Sequence, residues 1–115
     1  MKLYRNRYLA FKIISESVFS SEDIVHCIWR TLINLFGEVG GSRTNFWLIE
    51  YSESGYGILR CTHTSVDVMK SVLAAVYELN GSPLIMNVLG VSGTIKGVRR
   101  FIQEKVNLNR ESNNN

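Results

Sequence analysis

NFWLIEYSESGYGILRCT, residues 45–62, reads as two apolar strands around a short polar turn. In its first half Trp47, Ile49 and Tyr51 alternate with Phe46, Leu48 and Glu50, the period of two that sends successive side chains to opposite faces of a sheet. Residues 52–55 are polar and end in glycine, which predicts a hairpin turn into a second strand over residues 57–62. What lies on either side of this hairpin decides the fold.

Upstream, Ser20 and Asp23 have capping-box spacing, and Ile24, Ile28 and Leu32 with Val25, Trp29, Ile33 and Phe36 form a broad helical stripe. That helix is expected to end near Gly37, before a loop at Gly40 and Gly41. Residues 7–15, RYLAFKIIS, precede it as a strand with Leu9, Phe11 and Ile13 opposite Tyr8, Ala10 and Lys12. Downstream of the hairpin, Thr64 and Asp67 repeat the capping spacing. Val68, Met69, Val72, Leu73, Val76 and Leu79 then trace a second helix, stopped by Asn-Gly-Ser-Pro at 80–83. Residues 84–91 supply a fourth strand opened by Pro83, whose missing N–H suits an edge. Thr94 caps a third helix with Ile95, Val98, Phe101 and Ile102 on its apolar side.

The order is therefore β-α-β-β-α-β with an extra C-terminal helix: an α+β, ferredoxin-like (RRM-like) antiparallel sheet. At 115 residues and 45% hydrophobic content the chain is expected to build one domain over residues 1–105. The polar stretch 106–115 is expected to fray. Right-handed crossovers place the first two helices on one sheet face. The other face is left to solvent, the third helix or a partner, and Phe46, Leu48 and Ile58 read as its outward apolar residues.

Composition excludes some functions. The longest apolar runs, such as 84–91, are too short to span a membrane, and the first residues lack signal-peptide features, so a cytoplasmic protein is expected. Cys27 and Cys61 belong to no closely spaced pair and are expected to be buried free thiols. His26 beside Cys27, and Cys61 near His63, supply the right atoms for zinc. Adjacent helical side chains diverge by about 100°, so no metal site is expected. The net charge is only +3, but it is unevenly distributed. Residues 1–12 hold Lys2, Arg5, Arg7 and Lys12 without an acid; from 94 onward there are five basic and two acidic residues; the middle holds four basic and eight acidic. Basic clusters suit a polyanion, since each neutralised phosphate releases counterions.

Three motifs carry chemistry. Gly90-Val91-Ser92-Gly93-Thr94 joins strand to helix, where small residues let backbone N–H groups approach an anion and Ser92 and Thr94 add hydroxyls; a plain turn with a threonine cap competes. It is no nucleophile elbow, because Thr94 stands where that pattern needs glycine. Lys96, Arg99 and Arg100 share one helix face, suited to tracking phosphates or merely to solvation. Residues 55–61 partly echo the aromatic RNA-recognition signature, with Tyr56 in place, but Ile58 and Cys61 replace stacking aromatics. No acid, base and nucleophile are arranged for catalysis.

Taken together, RYLAFKII (7–14), GSRTNFWLIEY (41–51), GILRC (57–61) and VLGVSGTIK (88–96) resemble the ribonuclease P protein component 2 family, the small ferredoxin-like ribonuclease P subunits of archaea and eukaryotes. The resemblance spans about residues 7–102, in order. It implies a noncatalytic subunit that supports a catalytic RNA in removing the 5′ leader of precursor tRNA. It also implies ribonuclease P RNA and a TIM-barrel-like protein subunit as partners, magnesium on the RNA, and no cofactor on the protein. Self-association stays open at this point. On that reading Arg43, Arg60, Ser92, Thr94, Lys96, Arg99 and Arg100 are the expected RNA contacts. Phe46, Leu48 and Ile58 are the expected protein-partner surface, with packing under the third helix as their competing use. An RRM-type single-strand binder using Tyr56, and a ligand-sensing ferredoxin-like domain, are the alternatives.

Overall fold

The computed structural model describes residues 5–113. Strand β1 (Asn6–Ile14) leads into α1 (Ser21–Ser42), then β2 (Trp47–Tyr51) and β3 (Tyr56–Thr62). A single 3-10 turn (His63–Ser65) precedes α2 (Val66–Ala75), followed by the two-residue strands β4 (Glu78–Leu79) and β5 (Ser82–Pro83), then β6 (Ile85–Ser92) and α3 (Ile95–Asn113). The main sheet runs β2-β3-β1-β6, antiparallel throughout, which is the ferredoxin-like arrangement. A β1 strand that is paired on both sides accounts for its run of three fully buried residues, Leu9 to Phe11.

Two clusters sandwich this sheet. On the inner face Leu9, Phe11, Ile13, Leu48, Leu59 and Cys61 pack against Ile24, Ile28 and Leu32 of α1 and Met69, Val72 and Leu73 of α2. On the outer face Ala10 and Ile58 are sealed by Val98 of α3, with Ile49, Leu89, Phe101 and Ile102 around them. The helix approaches so closely that the Phe101 ring lies on Gly90: a Cβ there would stand 2.7 Å from the ring. Cys27 and Cys61 are buried free thiols, as expected.

The departures from the sequence reading have local causes. Helix α1 breaks at Gly37, as anticipated, through a left-handed φ of 76° that glycine adopts without a steric penalty. It then resumes for a further turn to Ser42, so Gly40 and Gly41 are helical rather than loop. No side chain caps α2; its Ser65 cap position makes no such bond, and the Thr64 box does not form. The helix ends at Ala75, and Val76 and Leu79 enter the core from a small hairpin turned at Asn80 and Gly81, both with positive φ. Helix α3 continues to Asn113, through the stretch expected to fray, with Val106 half-buried one turn beyond Ile102. Residues 114 and 115 lie outside the described residues.

The outward assignment of Phe46 and Leu48 is corrected here, since both pack with the inner cluster, whereas Ile58 does face outward and takes its competing use under α3. A bulge between Leu48 and Glu50 interrupts the alternation of β2. Leu48 faces the inner core at 8% exposure, and Ile58 is completely buried beneath α3. Neither is available to a partner. Phe46 is half-buried and stacks on Trp29, ring centroids 5.9 Å apart.

Candidate nucleic-acid interface

The strand register collects one end of the sheet from four distant segments. Asn6 pairs with Thr62, Tyr8 with both Arg60 and Ser92, and Trp47 with Arg60. The start of β1, the start of β2, the end of β3 and the β6–α3 turn therefore meet. The segments 5–8, 43–47, 60–65 and 91–97 bring Arg5, Arg7, Arg43, Arg60, His63 and Lys96, and contain no aspartate or glutamate. Glu38 and Asp67 stand nearby on the adjoining helix ends. The far end of the sheet is more acidic, with Glu16, Glu50 and Glu53 in or beside its strands and turns, offset in part by Lys12 and by Arg99, which pairs with Glu50.

Backbone bonds hold the basic end in place. The Thr62 N–H donates to the Thr44 carbonyl at 2.9 Å, and the Thr62 hydroxyl lies 3.3 Å from the Arg43 carbonyl and 2.8 Å from the Ser65 hydroxyl. Thr44 itself is buried, its hydroxyl donating to the Gly41 carbonyl at 2.8 Å. Arg43 thus has a fixed backbone and an exposed side chain. Arg5 is anchored through its carbonyl, which accepts the His63 N–H at 2.8 Å. Arg7 donates to the Asn6 carbonyl and reaches the β6–α3 turn, where its Nη1 lies 3.9 Å from a Cβ built on Gly93.

In that turn both hydroxyls accept backbone bonds. The Thr94 N–H donates to Ser92 Oγ at 3.3 Å, and the Gly97 N–H donates to Thr94 Oγ1 at 3.0 Å, the N-cap of α3. The turn with a capping threonine is therefore present. Each hydroxyl still keeps its own O–H to donate, and Thr94 is exposed. Lys96 projects from the first turn of the helix, where the macrodipole is positive and adds to the local field.

Arg60 and Arg99 meet opposite fates. Arg60, an expected RNA contact, is half-buried mid-strand on the outer face, and its Nε is buried without a hydrogen-bond partner. Among the described residues the one ion pair joins Arg99 of α3 to Glu50 of β2, and the Glu50 carboxylate raises the already high pKa of that guanidinium. The expectation that Arg99 faces a phosphate is corrected: it is engaged within the chain. Arg100 remains exposed beside it. Tyr56 is corrected too, as a stacking residue. It is 9% exposed, with Lys12 Nζ 4.2 Å from its ring centroid, and its strand neighbour Ile58 lies under α3.

In the sequence Arg5 and Arg7 stand out only as members of a basic run, and Trp47 only as a strand residue. The acid-free first twelve residues were the available signal for the two arginines. Nothing local marked Trp47, whose 55% exposure follows from its place on the edge strand β2. The thiols are chemically quiet: burial pushes the Cys61 pKa up to about 11 and raises that of Cys27. His26 and His63 are exposed while both cysteines are buried. No cluster of three or more metal-ligating side chains occurs among the described residues.

A ferredoxin-like sheet whose one end gathers cations from four segments defines a domain with a surface suited to a polyanion. Comparison with known proteins makes the assignment specific. The model of the Rpp14/Pop5 family matches residues 7–103, and the chain belongs to that family. It is 43% identical over 98 residues to "Ribonuclease P protein component 2" of Pyrococcus furiosus, covering 84% of this chain and 81% of the relative. A protein of the same name from Methanococcus aeolicus is 42% identical over 95 residues, covering 83% and 70%. Among solved structures, a chain in the cryo-EM structure of yeast ribonuclease MRP superposes with a TM-score of 0.67 over 97% of this chain and 96% of that one, at 13% identity. At that identity the likeness speaks for the fold alone.

Proposed function

We propose that this chain is a noncatalytic protein subunit of ribonuclease P, supporting the RNA that removes 5′ leaders from precursor tRNA. The observation that carries this is membership of the Rpp14/Pop5 family across nearly the whole sheet and the first half of α3, with relatives named as ribonuclease P components. The basic end supports it physically. Arg43, Arg60 and Lys96, helped by Arg5, Arg7 and the Ser92 and Thr94 hydroxyls, meet RNA phosphates there, and Arg100 adds an exposed cation further along α3. Such contacts position an RNA without needing a nucleophile. Among the described residues no three metal-ligating side chains cluster, and this reading leaves magnesium to the RNA.

A protein partner takes a different surface. The exposed apolar residues of α1, Trp29, Leu35, Phe36 and Val39, suit a protein better than a polyanion. The TIM-barrel-like ribonuclease P subunit is our choice of occupant, in the cytoplasm; no described helix is long and apolar enough to cross a membrane. The test is reconstitution of leader cleavage from the RNA with and without this protein and its partner. Cleavage that requires the protein is the expected result, and cleavage indifferent to it would overturn the reading.

A further inference from the structure

One feature of the basic end is not explained by phosphate contacts. A row crosses the sheet there on its outer face: Trp47, Arg60, Tyr8 and Ser92 are successive cross-strand partners. Helix α3 seals Ala10 and Ile58, further along the strands, and leaves the Trp47 end of this row uncovered. Trp47 is 55% exposed at the open edge, where it also borders the groove along α1 with Val25 and Trp29. Beside it Arg60 carries the buried Nε without a partner. Desolvating an N–H without a hydrogen bond is costly; that Nε is enclosed, so an acceptor from outside would engage the guanidinium through its Nη groups.

A protein segment could cover an indole, but the surrounding charge selects a different occupant. Glu22 lines the groove beside Trp47, but the cations of the four acid-free segments outnumber it, and an arginine donor beside a half-exposed aromatic residue matches the two needs of a nucleotide. We propose that the Trp47–Arg60 row holds one unpaired RNA nucleotide, its base stacked on the Trp47 indole and its phosphate or base edge accepting from Arg60. The inference rests on the RNA-binding reading above and adds to it a preference for unpaired over paired RNA. Bases are accessible for stacking only when unpaired, whereas phosphates are present in both forms.

The test uses the full chain carrying Trp29→Phe, so that emission reports Trp47 alone, titrated with a mixed-sequence single-stranded 12-mer RNA and with a 12-base-pair RNA duplex. The single strand is expected to quench Trp47 and the duplex to leave it bright. In the unsubstituted chain, Trp47→Leu should weaken single-strand binding by about tenfold with its salt slope unchanged, and leave duplex binding alone. Trp47→Phe should recover part of the loss, which guards against a variant that merely misfolds. Arg60→Lys should weaken single-strand binding as well, because an ammonium cannot reproduce the guanidinium fork. Unaltered emission on saturation with the single strand, or equal weakening of both RNAs by Trp47→Leu, would overturn the nucleotide site, and would leave the row to a protein partner. If the unsubstituted chain binds neither RNA, and Arg43→Ala with Lys96→Ala changes no salt dependence in the assembled particle, then the RNA reading of the basic end falls first and the nucleotide site with it.

Discussion

The two faces of this sheet are closed by different means. The inner face is sealed by two helices and eighteen buried residues, whereas the outer face has three, under a single helix. An inner residue such as Leu59 is enclosed by elements from the whole chain. Its neighbour in sequence, Ile58, depends on α3 alone. Inner-face burial buys most of the stability, while the outer face is covered only along the path of α3. Outside that path Trp47 stays 55% exposed and Arg60 half-buried.

The sharpest way to break this contrast is a pair of truncations. Leu59→Ala should lower unfolding free energy in urea by about 3–4 kcal/mol, as for a fully enclosed leucine. Ile58→Ala should cost about 2 kcal/mol, since α3 can settle partway into the space. If the second equals or exceeds the first, the outer cluster is a full second core. Next comes Gly90→Val, which drives a side chain into the Phe101 ring. About 1–3 kcal/mol should be lost, with α3 becoming sensitive to limited proteolysis while the sheet remains resistant. Sheet and helix cleaved together would mean that the two faces fail as one.

A smaller effect follows from Cys61. Its pKa is raised by burial from 9.0 to about 11, so between those pH values the unfolded chain releases a proton that the folded chain keeps. The stability this provides is complete below pH 9 and declines as pH rises toward 11. Replacing Cys61 with valine should flatten the alkaline limb of stability against pH relative to the unsubstituted chain; identical limbs would mean that the thiol is not enclosed. The smallest effect separates cations that look alike in sequence. Arg43→Ala and Lys96→Ala should each reduce the salt slope of RNA binding by about one. Arg99→Ala, already paired with Glu50, should scarcely move it. A full unit lost with Arg99 would return the third helix's paired face to the RNA.

Much of this architecture could be read locally, because strand alternation and helical stripes are short-range patterns. The βαββαβ order, the strand positions, the Gly37 break and the Thr94 cap all follow from neighbours within a few residues. What could not be read depended on pairing between distant segments. The alternation of β2 gave no warning of the bulge at Leu48 to Glu50, so Leu48 was turned outward. Ile58 had the right period for the outer face, but no sequence pattern says that α3 lies over it. The same limit applies to the site. Arg43, Arg60 and Lys96 were selected separately, and only the β1–β3 and β1–β6 registers make them neighbours. Arg99 was selected on equal terms with Arg100, and its separation from the group rests on a contact with Glu50 that spans 49 positions.

The opposed charge of the two ends of the sheet also bears on kinetics. With a surplus of cations and the α3 N-terminus at one end and carboxylates in slight excess over Lys12 and Arg99 at the other, the molecule carries an electric dipole before it touches anything. In the field of a nucleic acid such a body experiences a torque as well as an attraction. It therefore approaches with its basic end leading, and encounters are filtered by orientation during diffusion rather than after collision. Salt that screens this field should slow association more than it hastens release.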